Sequence, residues 1–126
     1  MKVLQTVSAA YRATLEEQDD TILWLTQAMK NAGGDLDVLL TGNAVNYAIA
    51  GQDASGLSIG AWRQTQPPQI EQDLARMMSK GIKVYAVSED VVERGLSDCA
   101  MVQGVVRIPE DEIARLIERY HQVWRW

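Results

Sequence analysis

Cys99 is the only thiol in the chain and the one side chain equipped to act as a strong nucleophile. It stands in the stretch "RGLSDCAMVQGV", between a short helical segment and an extended one, with Arg94 nearby and Asp98 beside it. A cation near a thiol lowers its pKa and a carboxylate raises it, so these two neighbours oppose each other. Free cysteines are also common as inert buried residues. A reactive and a passive Cys99 are both open on the residues alone.

The second group is Ser88-Glu89-Asp90, directly after the apolar run "IKVYAV". Two adjacent carboxylates could serve as an acid–base pair. They also suit the first turn of a helix, where negative charge is favoured, and Ser88 suits the N-cap before them. The third is Thr41-Gly42-Asn43, a turn into a helix that would offer a weak anion site or simply reverse the chain. The phosphate-loop pattern GxxxxGK[ST] and the dinucleotide pattern GxGxxG are both absent from the sequence. His121 is the only histidine and lies far from Cys99, so no metal-ligand spacing exists and no cofactor or metal is expected. Read as the last turn of the last helix, His121 would interact with the helix end rather than serve as a base for Ser88 or Cys99.

The elements that position these groups follow from hydrophobic period and turn residues. Residues 2–8, 36–40, 82–87 and 104–108 read as strands. A first helix, started by a Thr14–Glu17 capping box or by Asp20, carries Ile22, Leu25, Met29 and Ala32 on one face and stops at Gly33-Gly34. "TGNAVNYAIAG" is a turn and a short helix. Residues 51–68, rich in Gly, Ser, Gln and Pro, form a long surface loop carrying Trp62. Pro67-Pro68 lead into a helix with Ile70, Leu74, Met77 and Met78 on one side and Gly81 at its end. A short helix follows Ser88. Pro109 opens a final helix with the stripe Ile113, Leu116, Ile117, Tyr120 and Trp124, and the terminal Trp124 and Trp126 are expected to pack at the sheet edge or at a subunit interface.

Strands alternating with helices define a single α/β domain over residues 1–126, a three-layer arrangement with a mostly parallel sheet and helices on both faces. In such sheets ligands bind beyond the carboxyl ends of the strands. That rule gathers the loop after Ser8, Asn43, Ser88 and Glu89 with the start of the last helix, and makes Asn43, Ser88 and Glu89 the candidate ligand-binding residues. A net charge of −5, from 12 basic and 17 acidic residues, argues against a general nucleic-acid or anionic-membrane binder. One cysteine cannot form an internal disulfide, the start "MKVLQTVSAAY" is too polar for a signal peptide, and no run approaches transmembrane length, so the expected location is the cytoplasm.

The segment "KVYAVSEDVVERGL" resembles the DsrE/DsrF/DsrH family of sulfur-relay proteins, and within it the DsrH (TusB) branch. The matching residues are Lys83, Val84, Tyr85, Ala86, Glu89, Asp90, Arg94, Gly95 and the final Trp126. "DLDVLLTGNAVNYAI" is similar to the family's second strand and following turn; the 51–68 loop lies outside the likeness. The resemblance implies a flavodoxin-like α/β domain, homo-oligomers or complexes with DsrE-like sulfur carriers, and transport of sulfur as a cysteine persulfide for tRNA thiolation or sulfur oxidation. The persulfide cysteine of the DsrE branch lies just after the third strand, where this chain has Val87-Ser88, and a hydroxyl carries no persulfide. Two roles follow. Either Cys99 is a candidate persulfide carrier, or the chain is an accessory subunit without sulfur chemistry. A non-catalytic binding module for a small anion or a protein partner at the strand ends is the alternative of a different class.

Overall fold

A computed structural model describes residues 1–12, 15, 16 and 20–126. The strands are β1 (Lys2–Val7), β2 (Asp35–Leu40), β3 (Ser58–Ile59), β4 (Trp62–Arg63), β5 (Val84–Val87), β6 (Val106–Ile108) and β7 (Gln122–Arg125). The α-helices are α1 (Thr21–Asn31), α2 (Ile70–Ser79), α3 (Ser88–Glu93) and α4 (Ile113–Ile117), with 3-10 turns at Gly42–Ala48 and Glu110–Glu112. The main sheet runs β6-β5-β2-β1-β7, and every pairing in it is parallel. In chain order its five strands lie fourth, third, second, first, fifth, which differs from the flavodoxin order of second, first, third, fourth, fifth.

The strands are apolar because both sheet faces are covered. Val7, Val38, Leu40, Val84 and Ala86 pack under Ile22, Leu23, Val45, Leu74, Met77 and Val91, so α1, α2, α3 and the first 3-10 turn cover one face. Leu4, Leu39, Tyr85, Val87 and Ile108 pack under Leu116 of α4 on the other. Full burial of one Leu, such as Leu4 or Leu40, contributes about 1.5–3 kcal/mol, so the two clusters are the main source of stability.

Of the two candidate starts for α1, Asp20 is the cap in the structure; Thr14 and Glu17 lie outside the described residues. The Asp20 carboxylate accepts from the N–H groups of Ile22 (2.8 Å) and Leu23 (3.2 Å) through one oxygen and from the Tyr47 hydroxyl (2.7 Å) through the other. Burial, and then this bond, push the Tyr47 hydroxyl well above its ordinary pKa. Within the 51–68 loop, β3 and β4 form a small antiparallel hairpin that turns at Gly60, whose φ of +58° is the conformation glycine permits.

The C-terminal reading needs correction. The final helix ends at Ile117, and residues 122–125 are a strand pairing with β1, not helix. Two contacts turn the chain before that strand. The Tyr120 hydroxyl donates to the buried Asp37 (2.6 Å), and the His121 N–H donates to the Lys2 carbonyl (2.8 Å). His121 is therefore not at a helix end: its Nδ1 accepts from the Lys2 N–H (2.8 Å) at the amino end of the sheet. Asp37 is only 3% exposed and also accepts from the Lys83 N–H (2.7 Å), with Lys2 Nζ 3.4 Å away. The terminal tryptophans do pack at the sheet edge, as expected for one of the two placements. The Trp126 N–H donates to Thr6 (2.9 Å) and its indole N–H to the buried Gln5 side chain (2.6 Å).

Candidate functional site

The connection after β5 leads to α3 on one face of the sheet, and the connection after β6 leads to α4 on the other. Diverging connections open a crevice between the carboxyl ends of β5 and β6, the place where such folds bind ligands. Here Glu89 fills it. Both oxygens of its carboxylate accept from the Glu110 N–H, at 3.1 and 2.9 Å, at the start of the second 3-10 turn.

The rest of the edge is held by the same kind of internal bond. Asp90 accepts from the Gly42 N–H (2.8 Å) and ties α3 to the turn after β2. Arg94 donates to the Asn43 side-chain oxygen (3.1 Å) and to the Asp90 carbonyl (3.3 Å), with Glu93 3.9 Å away. Asn43, Glu89 and Ser88 come together at this edge, as read from the sequence, but the Asn43 side-chain oxygen and the Glu89 carboxylate are spent on the protein.

Ser88 does not cap α3. The cap position belongs to Val87, in extended backbone at ψ 120°, and no side-chain cap bond forms. β5 runs into α3 without an intervening residue, so Ser88 already has helical backbone, and a residue inside the helix cannot place its hydroxyl on the next free N–H groups. Ser88→Ala is accordingly expected to change stability by less than about 0.5 kcal/mol in urea unfolding, where loss of a cap would cost about 1 kcal/mol.

Cys99 does not join this edge. It is exposed, on a turn where its N–H donates to the Leu96 carbonyl (3.1 Å). The following residues are stitched to the far end of the first 3-10 turn: Ala50 donates to Ala100 (2.9 Å) and Val102 to Ala48 (2.7 Å). At about 2 Å of rise per residue, that end lies on the order of 12 Å from Gly42. The Arg94 guanidinium is engaged with Asn43 and Asp90 rather than turned to the thiol. His121 stands at the opposite end of β1, a strand of six residues or about 20 Å. Neither side chain activates Cys99.

A residue set that the sequence did not reveal lies beside the edge. Thr6, Ser8, Thr41, Ile117, Arg125 and Trp126 border an open cleft of about 300 Å3 between β1, β7 and α4. The Ser8 hydroxyl donates to the Trp126 carbonyl (2.8 Å), and among the described residues lining the cleft Arg125 is the only charged side chain. Arg125 stands next to Thr6 because β7 pairs with β1, a pairing that no local pattern in "QVWRW" marks. Among the described residues no group of His, Cys, Asp and Glu side chains could hold a metal ion.

This α/β architecture, a parallel five-stranded sheet with helices on both faces, defines the class of fold and is shared with solved structures over nearly the whole chain. The ychN protein from E. coli aligns with a TM-score of 0.72 at 20% identity, covering 99% of this chain and 97% of its own. A protein of unknown function from Methanobacterium thermoautotrophicum aligns at 0.65 and 13% identity, covering 99% and 98%. A conserved protein of unknown function from Bacteroides thetaiotaomicron aligns at 0.65 and 12% identity, covering 99% and 94%. No protein-family model matches the sequence, and no curated protein matches it. Among the described residues no helix is long and apolar enough to cross a membrane.

Proposed function

We propose that the chain is an accessory subunit of a sulfur relay of the DsrE/DsrF/DsrH kind, serving tRNA thiolation or sulfur oxidation in the cytoplasm beside a DsrE-like partner that carries the persulfide. The observation that carries this reading is the end of β5. Where the resemblance puts a persulfide cysteine this chain has Ser88, and the crevice next to it is closed by Glu89 on the Glu110 N–H. A sealed edge without a thiol supports a role in assembly rather than in sulfur transfer. Exposed Trp24, Ile59 and Trp62 supply apolar surface for association with like chains or a partner.

A second reading has its own observation. Arg125 and the Ser8 and Thr41 side chains along the open cleft favour a non-catalytic module for a small anion at the strand ends. Cys99 as carrier is the weaker form of the relay reading, because its turn is separated from the edge and Arg94 and His121 are both held elsewhere. The test is sulfur uptake. Incubated with a glutathione persulfide donor, the chain is expected to gain sulfur no faster than an unactivated thiol; rapid uptake confined to Cys99 would instead make it a carrier.

A further inference from the structure

We propose that the cleft between β6 and α4 binds a small organic phosphate, with Arg115 and Arg119 holding the phosphate against apolar walls formed by Tyr85, Val106, Ile108 and Leu116. The cleft has a volume of about 250 Å3 and lies on the α4 face of the sheet, at its β6 edge. Arg115 lies within α4 and Arg119 just after it, and a spacing of four residues on helical backbone puts both side chains on one side. Among the described residues neither guanidinium makes an ion pair or a hydrogen bond, although the chain carries 17 acidic residues against 12 basic ones. Glu112 borders the same cleft but stands beyond ion-pair distance of both. Two convergent, unpaired arginines in an acidic protein form a local positive site where neutralisation within the chain was available and was not used.

The chemistry of the walls narrows the ligand. Guanidinium groups present forked N–H donors that match the oxygens of a phosphate, often in pairs. The opposite wall is aliphatic and aromatic, and Tyr85 is 9% exposed within the core cluster of Leu4, Leu39 and Ile108, so its ring is held in place. An inorganic ion would leave that wall uncovered. The volume is smaller than that of sites for drug-sized ligands, about 300–1,000 Å3, and suits a phosphate ester with a body of roughly one ring. A polynucleotide is disfavoured by the net charge of −5. Arg107 also borders the cleft, but it alternates with Val106 and Ile108 along β6, which directs its side chain to the other face, and it is left out of the site.

The experiment is a calorimetric titration with phenyl phosphate, followed in parallel by amide shifts. Saturable binding is expected, with shifts centred on Tyr85, Val106 to Ile108 and Leu116. An Arg115→Ala/Arg119→Ala double variant should weaken it at least about tenfold, and Arg63→Ala, on the separate β3–β4 hairpin, should leave it unchanged. Both arginines are exposed, so the double variant should melt where the parent does; Arg115→Lys/Arg119→Lys, which keeps the charge, should bind with intermediate affinity. Absence of saturable binding at millimolar phenyl phosphate, or equal binding by the double-alanine variant, would overturn the proposal. So would binding of a single-stranded oligoribonucleotide through the same arginines in place of phenyl phosphate. These outcomes are separate from the sulfur-relay reading, which rests on Ser88 and on the Glu89–Glu110 bond beyond the carboxyl ends of β5 and β6.

Discussion

Asp37→Ala lowers the stability of the domain by about 3–5 kcal/mol, the cost expected when one partner of a buried charged network is removed. Asp37 is buried in β2 and is approached by three donors: the Lys83 N–H at 2.7 Å, the Tyr120 hydroxyl at 2.6 Å and Lys2 Nζ at 3.4 Å. Those bonds join β2, the connection into β5, the turn after α4 and the start of β1. Removing the carboxylate leaves the part-buried Lys83 N–H and Tyr120 hydroxyl without this acceptor, while Lys2, whose side chain is 30% exposed, can turn to water. Burial, and then the bond to Asp37, also raise the Tyr120 hydroxyl's pKa, so that phenol stays a neutral donor. Equilibrium urea unfolding checks the expectation. A loss below about 1 kcal/mol would mean that Asp37 is no more than a surface-type ion pair.

Deletion of Trp124 to Trp126 has the next largest effect, about 3–5 kcal/mol at roughly 1 kcal/mol for each hydrogen bond with the lost packing added. The segment supplies the outer half of β7. Trp126 donates through its main-chain N–H to Thr6 (2.9 Å) and through its indole to Gln5 (2.6 Å), and its carbonyl accepts from the Ser8 N–H (3.0 Å) and hydroxyl (2.8 Å). Gln5 is fully buried and keeps only its bond to Thr26 once the indole is gone. The truncated chain should also lose the cleft beside Ser8. Thermal unfolding of the truncated and full chains measures the effect; an unchanged midpoint would make the tail a solvated end.

Much of the architecture was legible because its signals are local. The apolar runs "LDVLL" and "KVYAV" mark strands covered on both faces, Asp20 is a cap by type and spacing, and Gly33 and Gly81 close α1 and α2 with φ of +95° and +85°. The fifth strand was hidden by a coincidence of period. Ile113, Leu116, Ile117 and Tyr120 fit a helical stripe, and Trp124 continues it numerically, yet the pairing of residues 122–125 with β1 depends on partners more than a hundred positions away. The Asp37 network explains the break, and a lone Asp inside an apolar run was its only trace in the sequence. Ser88 failed as a cap for a similar reason: its type suits the role, but whether one residue separates β5 from α3 is decided by the backbone. At the candidate site the grouping of Asn43, Ser88 and Glu89 follows from strand order. That Glu89 would turn onto Glu110, and Asn43 onto Arg94, is set by side-chain geometry across the sheet edge that sequence spacing does not encode.

The proposed function is that of a relay subunit that itself carries no sulfur. Its most direct test is the rate at which the intact protein gains a sulfur atom from glutathione persulfide, followed by alkylation and mass measurement, beside the Cys99→Ser variant and free glutathione as an unactivated thiol. The account predicts uptake by the parent protein no faster than by the free thiol. Uptake faster by about tenfold or more, abolished by Cys99→Ser, would contradict it and establish Cys99 as an activated carrier.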